Sequence, residues 1–267
     1  MVTQASLSKD RKLPGSSLEV TPRQELLGIP FDVVDSLEAK DIINHLIKQK
    51  KAALVFTPNA EIVVQAHADK EFLEILRSAQ LILPDGSSLL WAAKALKKPL
   101  KARVTGIDLM QLLLPEAEKK GWTVFFLGAK QEILEKAVFN TLRNYPSLKL
   151  AGYHHGYFKN DIIPLQVINQ VKPDLLFVGM GAPKQERWLY QYKNQLECGV
   201  AMVVGGSFDI LAGKTKRAPF WMQKRGLEWL YRYLQEPARI KRSLLLPKFV
   251  GLVLAERKRL RKKEGLF

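Results

Sequence analysis

Three short apolar runs that each end at a glycine constrain the fold of this 267-residue chain most strongly. The runs Phe-Phe-Leu-Gly, Leu-Phe-Val-Gly and Met-Val-Val-Gly end at Gly128, Gly179 and Gly205. Their apolar positions are continuous rather than alternating, which is typical of strands that are buried on both faces of a sheet. A segment with helical spacing follows each run, and this alternation predicts a mostly parallel sheet with right-handed crossovers.

Two earlier apolar runs end in turns that carry polar side chains. One is followed by Thr57-Pro58-Asn59 and the other by Pro84-Asp85-Gly86. In a parallel sheet all five turns lie along the carboxyl edge, where open α/β sheets bind their ligands. The sequence therefore predicts an α/β fold, with a mostly parallel sheet sandwiched by helices in a Rossmann-like three-layer arrangement.

Charge and composition divide the chain into three parts. The first 25 residues are polar and lack the apolar segment of a secretory signal, so we predict a disordered lead-in over 1–25. Residues 26–213 carry the strand and helix patterns of an α/β domain. Residues 214–267 contain sixteen Lys or Arg and four Glu, a net of +12 within a chain of formal charge +16, and we predict a basic helical appendage there.

Composition disfavours several classes of site. The single cysteine, Cys198, excludes a disulfide framework and fits a reducing compartment. The four histidines include no i, i+4 pair in a helical pattern, so we expect no structural zinc site. Asp-x-Asp, a common metal clamp for diphosphates, is absent from the sequence, and no apolar stretch is long enough to span a membrane. We predict neither a metal nor a cofactor.

The first group of candidate site residues belongs to the two polar turns and the segment after them. Asp85 is the candidate catalytic base, although Pro-Asp-Gly is also an ordinary turn sequence. Thr57 and Asn59 are expected to face it across a cleft, with a strand end and a helix cap as the simpler interpretations. Arg103 and Asp108 flank Thr-Gly and are candidate substrate ligands, with a local salt bridge or cap as the alternative.

The second group lies in the glycine turn that follows the run ending at Gly179. Gly179 and Gly181 allow close approach of the backbone to a ligand, and the helix that follows offers free N–H groups to an anion. Lys184, Gln185 and Glu186 continue the motif into that helix. The dinucleotide fingerprint would need glycine where Lys184 stands, so an anion or nucleotide site of another type is predicted, with a plain strand-to-helix turn as the alternative.

The basic appendage interleaves Lys and Arg with aromatic residues. This pattern is compatible with nucleic acid, with an interfacial helix on an anionic membrane, or with a solvated basic tail. The apolar run at 244–254, flanked by basic clusters, favours the membrane surface.

Six motifs in order give the chain a resemblance to the WecG/TagA/CpsF family of bacterial glycosyltransferases over roughly residues 26–250. They are Thr57-Pro58-Asn59-Ala60-Glu61, Pro84-Asp85-Gly86, Arg103-Val104-Thr105-Gly106-Ile107-Asp108, Gly179-Met180-Gly181-Ala182-Pro183-Lys184-Gln185-Glu186, Val204-Gly205-Gly206-Ser207-Phe208-Asp209, and Arg217-Ala218-Pro219 with Gly226-Leu227-Glu228-Trp229-Leu230-Tyr231-Arg232. The resemblance implies a fold of the GT-E type. It also implies an inverting, metal-independent transfer of N-acetylmannosamine or a related hexose or uronic acid. The donor is a UDP-sugar and the acceptor a polyprenyl-diphosphate-linked saccharide of cell-surface polysaccharide synthesis, as in teichoic acid.

The resemblance also implies roles for individual residues. The family's catalytic aspartate falls on Asp85, its acceptor-side threonine and asparagine on Thr57 and Asn59, and its pocket arginine and glutamine on Arg103 and Gln185. Its appendage closes over the site, helps membrane docking and supplies arginines that fall on Arg232, Arg239 and Arg242. We thus expect a peripheral protein in the cytoplasm, on the inner face of the plasma membrane, that binds no nucleic acid; a homo-oligomer is left open.

Two other classes of protein remain compatible with parts of the sequence. A basic nucleic-acid-binding α/β protein would explain the charge, and would show salt-sensitive binding to DNA or RNA. A Rossmann-type oxidoreductase would explain the α/β pattern, and would bind NAD tightly although the fingerprint is absent. Thermal shifts with UDP, NAD and an oligonucleotide would distinguish the three classes.

Overall fold

The structure is a computed structural model that describes residues 21–219, 221, 222, 225, 228–235 and 245–263, without the side chains of Trp229, Arg232, Tyr233 and Lys263. Its strands are β1 (Arg23–Leu26), β2 (Ile29–Asp32), β3 (Ala53–Phe56), β4 (Leu81–Ile82), β5 (Thr123–Gly128), β6 (Lys149–His154), β7 (Leu175–Gly179) and β8 (Val200–Val203). Its helices are α1 (Ser36–Lys48), α2 (Ala60–Ala68), α3 (Lys70–Arg77), α4 (Ser87–Ala95), α5 (Gly106–Lys120), α6 (Gln131–Asn144), α7 (Ile162–Val171), α8 (Lys184–Tyr192), α9 (Ser207–Leu211), α10 (Glu228–Gln235) and α11 (Leu245–Lys263).

A six-stranded parallel sheet forms the centre of the molecule, in the order β4-β3-β8-β7-β5-β6. Strands β3, β7 and β8 are buried at every position, which explains why their apolar residues are continuous in the sequence. The register pairs Phe56 with Ile82 and Gly128 with Gly179, so the strand ends lie level with their neighbours. The predicted parallel sheet is confirmed.

Helices cover both faces of the sheet and give two separate apolar cores. One core combines α2, α3, α4, α8 and α11 with the hairpin β1–β2, and Phe56, Leu176 and Phe249 are among its buried members. The other combines α1, α5, α6 and α9 around residues such as Phe126 and Met202. This is the three-layer arrangement that the sequence predicts.

The amino-terminal boundary of the fold differs from the prediction. Strand β1 begins at Arg23, inside the segment expected to be a disordered lead-in, and pairs antiparallel with β2. Asp32 is buried and accepts hydrogen bonds from the Arg23 side chain at 2.9 Å and from the Ile82 N–H at 2.8 Å. Burial raises the pKa of Asp32, and Arg23 opposes that shift. The ion pair joins the two strands of the hairpin, and the hydrogen bond from Ile82 attaches the hairpin to β4. Residues 1–20 lie outside the described part of the chain.

Helix α11 uses part of its apolar side for packing. Phe249 and Val253 are buried in the core against α2 and α4, whereas Val250 and Leu254 are exposed. The described part of the apolar run, residues 245–254, therefore contributes to the protein core as well as to the outer surface. Within the described ranges no helix is long and apolar enough to cross a membrane. The predicted division at residue 213 stays a prediction.

Glycines allow unusually close backbone contacts along the carboxyl edge of the sheet. A Cβ added to Gly128 would lie 2.2 Å from the Gly179 carbonyl oxygen, and one added to Gly179 would lie 2.7 Å from the Gly205 carbonyl oxygen. Both distances are shorter than real Cβ contacts. After β5 the chain enters α6 on one face, and after β7 it enters α8 on the other. The loops after these two neighbouring strands diverge, which is where α/β sheets form a ligand crevice.

We predict that Gly128→Ala lowers the free energy of unfolding by about 3 kcal/mol or more, because the new methyl group would force β5 and β7 apart and φ at this position is +143°. Gly213→Ala is the matched control: its φ is +72° but a Cβ meets nothing within 4 Å, so only backbone strain of about 1 kcal/mol is expected. Chemical denaturation measures both. If both variants lost the same free energy of unfolding, the close contact between Gly128 and Gly179 would not be important for stability.

Candidate active site

Thr57, Asn59 and Asp85 come together because hydrogen bonding between two loops continues beyond β3 and β4. The Leu83 N–H donates to the Phe56 carbonyl at 2.9 Å, and the Asp85 N–H donates to the Pro58 carbonyl at 3.1 Å. Asn59 caps α2 by accepting from the Ile62 N–H at 3.0 Å, so the simpler interpretation of this residue is present in the structure, and its contact with a substrate stays a prediction. Thr57 is buried and Asp85 is half-buried at the end of β4.

A third segment joins this edge at the start of α5. The Val104 N–H donates to the Pro84 carbonyl at 3.0 Å, and the Gly106 N–H lies 3.4 Å from Oδ2 of Asp85. A Cβ on Gly106 would lie 3.3 Å from Oγ1 of Thr57, so glycine allows the helix start to approach Thr57 closely. The backbone N–H of Gly106 thus faces the carboxylate predicted to act as a base.

Asp108 and Arg103 connect this edge to the carboxyl-terminal part of the chain. Asp108 accepts from the Thr105 hydroxyl at 2.6 Å, its own N–H is capped by Thr105, and it forms an ion pair with Arg217. Arg103 donates to Glu228 at 3.1 Å, and Nε of Arg217 lies 3.6 Å from the same carboxylate. The charges alternate as Asp108, Arg217, Glu228 and Arg103, and this four-residue network ties α10 to the start of α5.

The second predicted group forms a separate turn at the ends of β7 and β8. Gly179 is packed against Gly205, and Gly181 has φ of +80°. The Gly181 N–H donates to Oε1 of Gln185 at 3.2 Å, so this amide already has an acceptor within the protein. Gln185 is 3% exposed, and its Nε2 donates to Oε1 of Glu186 at 2.8 Å.

Lys184 points away from these buried amides. Its ammonium group donates to the Gly156 carbonyl at 2.9 Å and lies 4.7 Å from the centre of the Phe158 ring. The side chain therefore contacts the loop after β6. The lysine remains exposed, but these contacts place its charge on the β6 side of the turn.

Glu186 is the most perturbed carboxyl group of the turn. It is 1% exposed, and burial raises its pKa to about 7, while the hydrogen bond from Gln185 and its own backbone N–H oppose the shift. A carboxyl group with a raised folded-state pKa stabilises the fold fully below its unfolded value near 4.5, and this contribution is lost as the pH rises through about 7. Above that range the fold carries the cost of a buried charge.

The two groups of residues flank the end of β8. Gly106, in the group around Asp85, approaches the backbone of Val203 and Val204, and Gly205 packs against Gly179 of the second group. The carboxyl edge thus presents a carboxylate and an arginine network on one side of β8, and a glycine turn with buried amides on the other. This arrangement suits a reaction between a neutral nucleophile and an anionic substrate.

Comparison with known proteins identifies the family. The model of the glycosyl transferase WecG/TagA/CpsF family matches residues 24–263. The chain belongs to this family of glycosyltransferases. In this family member the described residues of the six sequence motifs lie along one sheet edge and on the helix α10 that contacts it.

Several curated relatives bear the name N-acetylglucosaminyldiphosphoundecaprenol N-acetyl-beta-D-mannosaminyltransferase. One from Bacillus subtilis is 37% identical over 80% of this chain and 84% of the relative. One from Bacillus spizizenii is 38% identical over 84% of this chain and 88% of the relative. One from Staphylococcus aureus is 36% identical over 91% of this chain and 96% of the relative. The similarity therefore extends over most of the glycosyltransferase.

Some functional candidates were missed, and some predicted ones lie outside the described residues. Arg217 and Glu228 belong to the sequence motifs, yet no spacing rule joins them to Arg103 or Asp108 more than 100 positions earlier. Of the predicted appendage arginines, Arg239 and Arg242 lie outside the described residues, and Arg232 lies on α10 with its side chain not described.

Other parts of the glycosyltransferase offer fewer candidates. Among the described residues, no three His, Cys, Asp or Glu side chains are grouped to hold a metal ion. A polar hollow of about 450 Å³, lined by residues that include Arg77, Gln80 and Lys193, lies at the amino ends of β3 and β4. That end of the sheet is opposite the carboxyl edge, so the hollow is not part of the candidate active site.

We predict that Arg103 and Glu228 are energetically coupled by roughly 1–2 kcal/mol, because their side chains are 20% and 14% exposed and only partly screened by solvent. A double-mutant cycle with Arg103→Gln and Glu228→Gln, followed by chemical denaturation, measures this coupling. Lys172 and Glu197, an exposed ion pair, provide the control and should couple by about 0.3 kcal/mol or less. Equal coupling in both pairs would show that the network does not attach α10.

Proposed function

We propose that this glycosyltransferase transfers N-acetylmannosamine, or a related hexose or uronic acid, from a UDP-sugar to a polyprenyl-diphosphate-linked saccharide. The printed name of the relatives specifies an N-acetylmannosaminyl group and an N-acetylglucosaminyl-diphosphoundecaprenol acceptor, and their similarity covers 80–91% of this chain. The observation that carries the proposal is the position of Asp85 at the carboxyl edge, beside Thr57 and the first amide of α5.

In the proposed reaction Asp85 acts as the general base. It takes the proton of an acceptor hydroxyl while the hydroxyl oxygen forms a bond to the anomeric carbon of the donor. The attack takes place on the face of that carbon opposite the leaving group, and the bond from the carbon to the β-phosphate oxygen breaks. The configuration at the carbon is inverted and UDP is released. Thr57 and Asn59 hold the acceptor near this carboxylate. No metal ion takes part in this proposal.

The leaving diphosphate accumulates negative charge, which the protein must stabilise. Arg103 and Arg217 already lie at the same edge as Asp85, and the amino end of α8 offers a favourable dipole beyond Gly181. The Gly181 N–H is bonded to Gln185, so the turn contributes through its shape and its remaining polar groups. Arg232, Arg239 and Arg242 of the appendage are proposed to add positive charge when the substrate is bound.

The acceptor lipid requires the protein to work at a membrane surface. We propose that α11 docks on the anionic inner face of the plasma membrane from the cytoplasm. Val250 and Leu254 are exposed on this helix, and the exposed basic residues of its last turns are Arg257, Lys258, Arg259, Arg261 and Lys262. Exposed apolar side chains next to clustered cations are typical of interfacial helices.

We predict that Asp85→Asn retains UDP binding and loses about 10²–10⁴-fold in kcat, because asparagine preserves the shape of the turn but cannot accept the proton. Asp41→Asn, which changes a 70% exposed carboxylate on α1, is the control and should retain activity. Turnover with a short-chain lipid-linked acceptor and UDP-sugars, together with calorimetry of UDP binding, makes the test. Near wild-type turnover by the Asp85 variant would rule out the proposed base.

We predict that replacing Arg257, Lys258, Arg261 and Lys262 by glutamine greatly weakens binding to anionic vesicles, since each cation contributes roughly 1 kcal/mol near such a surface. Co-sedimentation with vesicles that contain phosphatidylglycerol measures the effect. In the control variant glutamine replaces four exposed lysines outside α11: Lys51, Lys119, Lys136 and Lys149. This variant should bind the vesicles like the wild type. Unchanged binding of the first variant would exclude α11 as the docking element.

A further inference from the structure

Glu186 is a buried carboxyl group for which the proposed reaction has no use. It is 1% exposed in the first turn of α8, and its Oε2 has no hydrogen-bond partner among the described residues. Its other oxygen, Oε1, accepts from Nε2 of Gln185 at 2.8 Å. A buried carboxyl group held by one amide is costly, so its contact with Gln185 requires an explanation.

The carboxyl group determines which way the Gln185 amide points. An amide presents an acceptor on one side and a donor on the other. With Nε2 directed at Glu186, Oε1 is directed at the Gly181 N–H, which it accepts at 3.2 Å. If the amide were flipped, Nε2 would face the Gly181 N–H and Oε1 would face the carboxylate oxygen. Both new contacts would be unfavourable, so Glu186 and the Gly181 N–H together select a single orientation.

The orientation matters because Gln185 fixes the outer side of the glycine turn. The inner side is fixed by packing of Gly179 against Gly205 and Phe208. Gly181, in contrast, has φ of +80° and meets nothing within 4 Å of an added Cβ, so packing does not hold it. The Gln185 N–H donates to the Gly181 carbonyl at 3.1 Å, and the hydrogen bond from the Gly181 N–H to Oε1 of Gln185 is the side-chain contact that closes the same turn over the start of α8.

We propose that Glu186 is a positioning residue that orients Gln185 and thereby holds the Gly179–Gly181 turn in the shape that receives the donor diphosphate. The inference rests on the proposed function for the identity of the ligand, but the orientation of the amide stands on the contacts alone. In this proposal Glu186 acts through Gln185, the residue that contacts both it and Gly181.

Two substitutions separate the role of the acceptor oxygen from that of the charge. Glu186→Gln keeps a carbonyl oxygen that accepts from Gln185, so it should keep the turn. Glu186→Leu removes every acceptor and frees the amide to flip. Because burial raises the pKa of Glu186 to about 7, Glu186→Gln relieves a buried charge at pH 8 and should be at least as thermally stable there as the wild type. Glu186→Leu relieves the same charge but leaves Nε2 of Gln185 without its acceptor.

The test measures amide hydrogen exchange at Gly181 by NMR on the full-length protein, and the KM for the UDP-sugar. In Glu186→Leu, exchange at Gly181 should rise about tenfold or more, and KM should rise about tenfold with kcat changed less than about threefold, the effect of losing one hydrogen bond. Glu186→Gln should stay within about twofold of the wild type in both. Glu197→Leu, an exposed site at the other end of the sheet, is the control.

Each outcome decides the proposal. Unchanged exchange at Gly181 in Glu186→Leu overturns the positioning role, and faster exchange with an unchanged KM overturns its importance for the donor. Gln185→Leu should raise KM as Glu186→Leu does. The double variant Gln185→Leu/Glu186→Leu should raise KM no further than either single variant. Glu186→Met serves the same purpose if the leucine variant does not fold. If the wild-type protein turned over no UDP-sugar, the proposed function would be refuted. Hydrogen exchange at Gly181 would still test whether Glu186 positions the amide.

Discussion

The rest of the structure depends on how closely the backbone approaches itself along the carboxyl edge of the sheet. Gly106 lets the start of α5 approach Thr57 and the end of β8, Gly179 lies against Gly205, and Gly128 lies against Gly179. Any side chain at Gly128 or Gly179 would overlap a neighbouring backbone. The turns are therefore held at nearly fixed separations, which allows groups from distant parts of the sequence to act on one substrate.

The ionic network extends this fixed edge to the carboxyl-terminal part of the chain. Glu228 lies between Arg103 and Arg217, and Arg217 also pairs with Asp108. Two carboxylates balance two guanidinium groups, so the network can remain partly buried without a net charge. An anionic substrate that approaches this edge changes that balance. In the proposed reaction the network would therefore link attachment of α10 to the charge of the donor.

The sequence predicts the parts of this structure that local patterns determine. Continuous apolar runs ending in glycine predict the parallel sheet, and polar residues after β3 and β4 predict the position of Asp85 and Thr57. Strand β1 was missed because contacts with distant residues hold it: the Arg23 side chain donates to the carbonyls of Ala79 and Gln80. The run at 244–254 suggested a membrane face, since helical periodicity does not distinguish lipid from α2 as the partner of Phe249.

Glu186 shows why the rest of the site cannot be read from the sequence. A glutamate in the first turn of a helix is ordinarily an exposed residue that interacts with the helix dipole. Here the glutamate is buried, and burial both raises its pKa and makes its oxygen the acceptor that the Gln185 amide requires. A fully charged carboxylate at this end of α8 would repel the diphosphate that the helix is proposed to attract. Its raised pKa would weaken that repulsion near neutral pH, which makes a carboxyl group in this turn compatible with the proposed binding of the diphosphate.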